Sequence, residues 1–92
     1  MELSESDLEF SAKFAIRVRK AIRDPERWAL VVANARGLIG CATDKPLPPE
    51  MNEVTILAIA YVTAMHCARQ LPPEDATHRE AVEILRTIAE CV

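Results

Sequence analysis

Aromatic residues and glycines are scarce in this chain of 92 residues. The four aromatic residues are Phe10, Phe14, Trp28 and Tyr61. Proteins that stack the bases of single-stranded nucleic acids need a platform of aromatic side chains, so this composition argues against that class. With two glycines, the chain also lacks a glycine-rich phosphate loop and the Gly-x-Ser-x-Gly elbow of serine hydrolases.

The chain lacks a long apolar run, and its first residues do not predict a secretory signal. Its longest apolar stretch, residues 54–68, is interrupted by Thr55, Thr63 and His66 and is shorter than the roughly 20 apolar residues of a membrane-spanning helix. The first seven residues are acidic and contain no basic segment, unlike the start of a signal peptide. Three cysteines cannot all pair within one chain, which indicates free thiols in a reducing compartment. We therefore predict a cytoplasmic protein without a membrane segment.

Metal-binding and nucleophilic residue types are present but lack the spacings that their chemistry needs. They are Cys41, His66, Cys67, His78 and Cys91. Zinc sites of small domains combine close pairs such as Cys-x-x-Cys and His-x-x-x-His, and neither pair is found here. The sequence around Cys41 has no Cys-His signature that would activate the thiol as a nucleophile. We predict no metal, no cofactor and no catalysis, with a small enzyme or metal protein centred on Cys41 as the third-ranked alternative.

The residues that are abundant predict a helical protein. Half of the chain is apolar and 27% is charged, which is the composition of a globular domain. We predict a single all-α domain over residues 1–92, with a compact four-helix bundle-like architecture. Apolar periodicity and capping signals place the helices at residues 5–22, 25–36, 49–70 and 75–91. Gly37 is expected to end the second helix, and Thr77 and Glu80 are expected to form a capping box at the fourth.

The second and third predicted helices are apolar on more than one face. From Trp28 to Ala35 the only polar residue is Asn34, and the third helix has Ile56 and Ile59 outside its main apolar stripes. The third helix is thus either the central helix of the domain or half of a subunit interface. Because a small domain cannot bury every face, we also predict a homodimer formed through the second or third helix.

Charge is distributed unevenly despite a net charge of −3. Residues 13–36 carry seven bases and two acids, whereas residues 1–12 and 37–92 are acidic. On the first helix one arc is apolar and includes Phe10 and Phe14, and the cations occupy the opposite side. Ile16 lies among these cations, which is the layout of an apolar anchor with a charged rim. The candidate partner-binding residues are Lys13, Ile16, Arg17, Arg19, Lys20 and Arg23.

These patterns predict a non-catalytic, cytoplasmic helical module for protein–protein interaction whose partner has an acidic surface. Adaptors, chaperone-like partners, immunity proteins and phage-type inhibitors belong to this class, and the high arginine and alanine content favours a bacterial or phage source. The alternative is a nucleic-acid-associated accessory protein that uses the basic face of the first helix. The second helix offers few donors to base edges, and the pI of about 5.3 is low for a dedicated nucleic-acid binder. A basic face can also be merely solvated surface.

Overall fold

The computed structural model describes residues 5–45 and 47–91, and within them it contains four α-helices and no strand. The helices are α1 (Glu5–Ala21), α2 (Pro25–Thr43), α3 (Glu53–Gln70) and α4 (Ala76–Cys91). The prediction of an all-α, four-helix bundle-like fold is therefore confirmed. In the described part of the chain, every helix is too short or too polar to cross a membrane.

The centre of the fold is α3, which packs against all three other helices. Along it Ile56, Leu57, Ala60 and Ala64 are completely buried, and the alanines allow neighbouring helices to approach closely. These neighbours explain why α3 is apolar on most sides. The sequence predicts that α3 is either the central helix or half of a subunit interface, and within the fold it is the central helix. α1 packs on α3 and to a lesser extent on α4, and α2 packs on α3 and α4.

The prediction that Gly37 ends the second helix is wrong. α2 continues for about two further turns through Gly37 and Gly40, and neither glycine has a positive φ. The reason is burial, because Leu38 and Ile39 are 0% and 2% exposed and extend the core-facing stripe of the helix. Burying both side chains contributes roughly 3–6 kcal/mol, which exceeds the helix cost of about 1 kcal/mol per glycine. The helix ends at Asp44, which has φ 57° and donates its backbone N–H to the Gly40 carbonyl at 2.9 Å.

The third helix begins later than predicted, at Glu53 instead of residue 49. Asn52 caps it, with Oδ1 accepting the backbone N–H of Val54 at 2.8 Å and of Thr55 at 3.3 Å. The residues before it form a turn, whose Pro48 and Pro49 carbonyls accept hydrogen bonds from Arg36 on α2. A side-chain cap outweighs the preference of proline for the first helical turn at this position.

The capping box predicted at Thr77 and Glu80 is also wrong. α4 begins at Ala76, and Oδ1 of Asp75 accepts the Thr77 backbone N–H at 2.8 Å. Aspartate is a better N-cap than threonine, and its charge interacts favourably with the helix dipole. The helix therefore begins before Thr77, and Thr77 lies inside its first turn.

Two buried hydroxyl groups lack a hydrogen-bond partner in the part of the chain that the structure describes. They belong to Ser11 on α1 and Thr63 on α3, and both residues are completely buried. An unsatisfied buried hydroxyl costs about 1–3 kcal/mol, so Thr63→Val should raise the free energy of unfolding by about 1 kcal/mol in urea denaturation. The control Thr63→Ser keeps the hydroxyl and should lower that free energy because it removes a buried methyl group. Destabilisation by Thr63→Val would mean that the hydroxyl has a partner in solution.

Candidate partner-binding face

The six candidate residues from the sequence lie on the exposed side of α1 or directly after its end. They are Lys13, Ile16, Arg17, Arg19, Lys20 and Arg23, and all are exposed. Ile16 itself is 45% exposed. In the described part of the chain, the ion pairs join Arg27 to Glu90 and Arg86 to Glu83, and neither of them involves a cation of α1. We call Lys13, Arg17, Lys20 and Arg23 the basic stripe.

Arg19 is the candidate residue that the fold itself uses. Its guanidinium carbon lies 4.8 Å from the centre of the Trp28 ring, within the range of a cation–π interaction. Nη1 of Arg19 also donates a hydrogen bond to the Ile22 carbonyl at 3.2 Å. The side chain thus links the end of α1 to the start of α2, and it is less available to a partner than the other cations.

An aromatic cluster lies beside the basic stripe. The Phe14 ring is parallel to the Tyr61 ring of α3, with centroids 5.5 Å apart and an interplanar angle of 2°. Phe10 meets Phe14 edge to face at 4.9 Å, and the Arg17 guanidinium lies 5.8 Å from the Phe14 ring centre. Both ring geometries are favourable for aromatic pairs. Aromatic surface and positive charge therefore adjoin each other on one side of the molecule.

The cluster forms one wall of an open apolar groove between α1, α3 and α4. The groove has a volume of about 390 Å³, which is enough for large side chains of a ligand. Its lining residues are Phe14, Tyr61, Met65, Leu85, Ile88 and Ala89. We call it the aromatic groove. Of its lining side chains, methionine is the one that adapts most readily to a ligand's shape.

Phe10 is the functional candidate that the sequence analysis missed. The apolar periodicity of the first helix predicts that it belongs to the apolar arc, but 54% of the residue is exposed. The buried residues are Ser11, Ala15 and Val18 of α1 and Ile22 directly after its end, and Phe10 lies about 110° away from their line around the helix. The spacing of the sequence does indicate this exposure, since Phe10 and the cation Arg17 are only about 20° apart on an ideal helix. Its neighbour Phe14 covers only part of it, because that ring is also stacked on Tyr61.

Ile16 and the aromatic groove lie on opposite edges of the basic stripe. Phe10 and Ile16 are six residues apart, which separates them by about 120° around the helix axis. Only these two large apolar residues of α1 are classed as exposed in the described residues. The cations between them therefore border both apolar positions, with Arg17 nearer the groove.

A second depression brings together residues that the sequence analysis considered for metal binding or nucleophilic attack. Cys41, His66, Cys67 and Asp75 all line it. Desolvation by burial raises the pKa of the Cys67 thiol, and the negative charge of Asp75 raises it further. Cys67 is therefore protonated at neutral pH, which is unfavourable for a nucleophile. Among the described residues, no group of three histidine, cysteine or acidic side chains is arranged to hold a metal ion.

Comparison with known proteins gives no relative for this chain. No protein-family model, no curated protein and no solved structure matches it. The function must therefore be inferred from the physical features of the molecule, of which the exposed Phe10 beside the aromatic groove and the basic stripe is the most distinctive.

Proposed function

We propose that this chain is a non-catalytic helical interaction domain that binds an acidic amphipathic helix of another protein. The aromatic groove would take the apolar side chains of that helix, and the basic stripe would contact its carboxylates. The observation that carries the proposal is the position of Phe10, a phenylalanine that is 54% exposed between the groove and the basic stripe, whose four cations form no ion pair with the described residues.

The shape of the aromatic groove favours a helix as its ligand. Its walls are themselves helices, α1, α3 and α4, and a groove between helices accepts apolar side chains spaced by three, four and seven residues. Burial of Phe10 against such a ligand would contribute about 2–3 kcal/mol before the cost of ordering the ligand. A phenylalanine in this position has the properties of an interface hot spot, because its neighbours can exclude water around it.

The charge of the basic stripe favours an acidic partner. Lys13, Arg17 and Lys20 follow one another along α1, and they lie on the groove side or the centre of the exposed surface. Such charges accelerate association with an acidic surface, and salt weakens the effect because the screening length is about 10 Å at 0.1 M. Ile16 would make a second, smaller apolar contact on the far edge of the stripe.

The cellular setting that we propose is the cytoplasm. The three cysteines are free thiols: Cys41 is exposed, Cys67 is buried and Cys91 is half-buried. This supports a reducing compartment. An adaptor, a chaperone-like partner, an immunity protein or a phage-type inhibitor could each use such an interaction domain. We also propose that the protein forms a homodimer, which would present the partner-binding face twice.

The test is a titration with a synthetic amphipathic helix that carries leucines on one face and glutamates on the other. We expect binding, measured by fluorescence anisotropy of the labelled peptide, that weakens as the salt concentration rises. Phe10→Ala should weaken it at least about tenfold, since the lost burial exceeds 1.4 kcal/mol. Arg17→Glu should mainly slow association at low salt, and Ile16→Asp should weaken binding less than Phe10→Ala does.

Matched controls separate this proposal from its alternatives. A peptide with lysines in place of the glutamates should not bind, and thermal denaturation of each variant should show an intact fold. A nucleic-acid-associated protein would instead bind duplex DNA through the basic stripe, and Phe10→Ala would leave that binding unchanged. Equal binding of the acidic and basic peptides, or no loss with Phe10→Ala, would contradict the proposal.

A further inference from the structure

Beyond its first turn, the exposed face of α2 carries almost no charge. From Trp28 to Thr43 the only charged residue is Arg36, which is half-buried and bonded to the Pro48 and Pro49 carbonyls. The solvent side of this segment consists mainly of Ala29, Leu30, Ala33, Asn34, Gly37 and Cys41. Leu30 is 61% exposed, the largest value among the exposed large apolar residues of the described chain. Such an uncharged helix face with a protruding leucine is typical of an interface.

Gly37 forms part of a groove next to this leucine. The groove lies between α2 and α4, has a volume of about 360 Å³, and is lined by Val31, Ala33, Asn34, Gly37, Arg79, Glu80, Glu83, Ile84 and Thr87. A methyl group added to Gly37 would meet no atom within 4 Å outside its own helix backbone. The fold of one chain therefore does not require glycine here, although glycine disfavours a helix. The absence of a side chain at Gly37 leaves open space on the surface.

We propose that two copies of this chain associate through α2, with Leu30 of each copy inserted in the groove beside Gly37 of the other. Leu30 and Gly37 are seven residues apart, so they lie on the same face of α2, about 20° apart and two turns from each other. In an antiparallel pair whose two-fold axis passes between Ala33 and Asn34, Leu30 lies opposite Gly37 at both ends. This is the self-complementary contact that a symmetric dimer requires.

The charges around the contact fit a second copy of the same chain. On α2 the only charge near the axis is that of the half-buried Arg36, and Glu83 of α4, which lines the same groove, is paired with Arg86. α2 and α4 are antiparallel, since Arg27 pairs with Glu90 while residues 31–37 line the groove with residues 79–87. The antiparallel arrangement of two α2 helices would then bring Glu26, one turn before Leu30, toward Arg79 of the other copy. Opposite charges would thus meet at each end of the contact.

This inference rests on the proposed homodimer and specifies its surface. Sedimentation of the whole chain at micromolar concentration should give a dimer. Leu30→Glu should raise the dimer dissociation constant at least about tenfold, because the change acts twice in a symmetric contact. Gly37→Leu should have a similar effect, because it fills the space that receives Leu30. The matched control Phe10→Glu places a charge on another large exposed apolar residue and should leave the dimer intact.

A cross-linking experiment tests which residues of the two α2 helices lie opposite each other. In a Cys41→Ser background, Asn34→Cys lies next to the two-fold axis and should form a disulfide between copies, whereas Arg23→Cys should not. The α2 contact would be overturned if the dimer tolerated Leu30→Glu and Gly37→Leu and did not cross-link through position 34. Self-association itself would still stand in that case. A wild-type protein that sediments as a monomer would overturn both. Binding of the acidic peptide tests the other interface separately, since Leu30→Glu should not change it.

Discussion

Leu38→Ala should lower the free energy of unfolding by about 2–5 kcal/mol, the range for a large side chain that is removed from a closed core. Leu38 is completely buried in the part of α2 that follows Gly37. A loss of this size is a large fraction of the total stability of a small domain. Urea denaturation followed by circular dichroism would measure it, since helix content reports the whole fold.

Two control substitutions test whether the loss of stability comes from the burial of Leu38 in a helix and not from the shortening of any side chain. Ile16→Ala removes an exposed side chain of similar size and should change the free energy of unfolding by less than about 0.5 kcal/mol. Gly40→Ala should raise it by about 1 kcal/mol, because an added methyl group meets no atom within 4 Å outside its helix backbone and alanine favours a helix. If Leu38→Ala were neutral and Gly40→Ala destabilising, residues 37–43 would form a loop in solution.

Trp28→Ala should lower the free energy of unfolding by about 3–5 kcal/mol. Trp28 is 4% exposed and joins three helices. Its indole N–H donates to Oε1 of Glu53 at the start of α3, 3.1 Å away, and Arg19 of α1 lies over its ring. Removal of the ring therefore deletes buried area, a hydrogen bond and a cation–π contact together. The measurement is again urea denaturation by circular dichroism.

The separate contributions at Trp28 can be measured with smaller changes. Trp28→Phe keeps most of the apolar contact but loses the N–H donor, and it should cost about 1–2 kcal/mol. Glu53→Gln keeps an oxygen acceptor for the indole and should cost less than about 1 kcal/mol. A loss below about 1 kcal/mol for Trp28→Ala would show that the three helices do not depend on this residue for their packing.

The sequence was sufficient to locate four helices, because apolar periodicity and proline or side-chain caps mark their positions. It was misleading at Gly37, where helix propensity and tertiary burial point in opposite directions. Propensity is worth about 1 kcal/mol at a glycine, whereas the burial of Leu38 and Ile39 is worth several times more. That burial depends on α3 and α4, which the local sequence does not contain. The error at Thr77 is smaller, because the actual N-cap, Asp75, lies only two residues earlier and can also be recognised in the sequence.

The candidate site was only partly visible for a similar reason. The basic stripe lies within one helix, so the spacing of its residues was enough to place them on one face. The aromatic groove instead combines Phe14, Tyr61 and Leu85 from three helices, and no local pattern relates residues so far apart in the chain. The role of Arg19 depends on Trp28 in the same way.

The central position of α3 has a consequence for how this protein is made. The first two helices make little contact with each other, and each packs mainly on α3, which begins only at Glu53. During synthesis the first half of the chain therefore emerges before its main packing surface exists. Until α3 has left the ribosome, Trp28, Leu38 and Ile39 lack their main packing surface, and the nascent chain is exposed to chaperones and to aggregation. The contacts of α1 with α3 and α4 join residues that are far apart in the sequence. Docking of α1 therefore closes the longest loops of the fold, and it completes the partner-binding face.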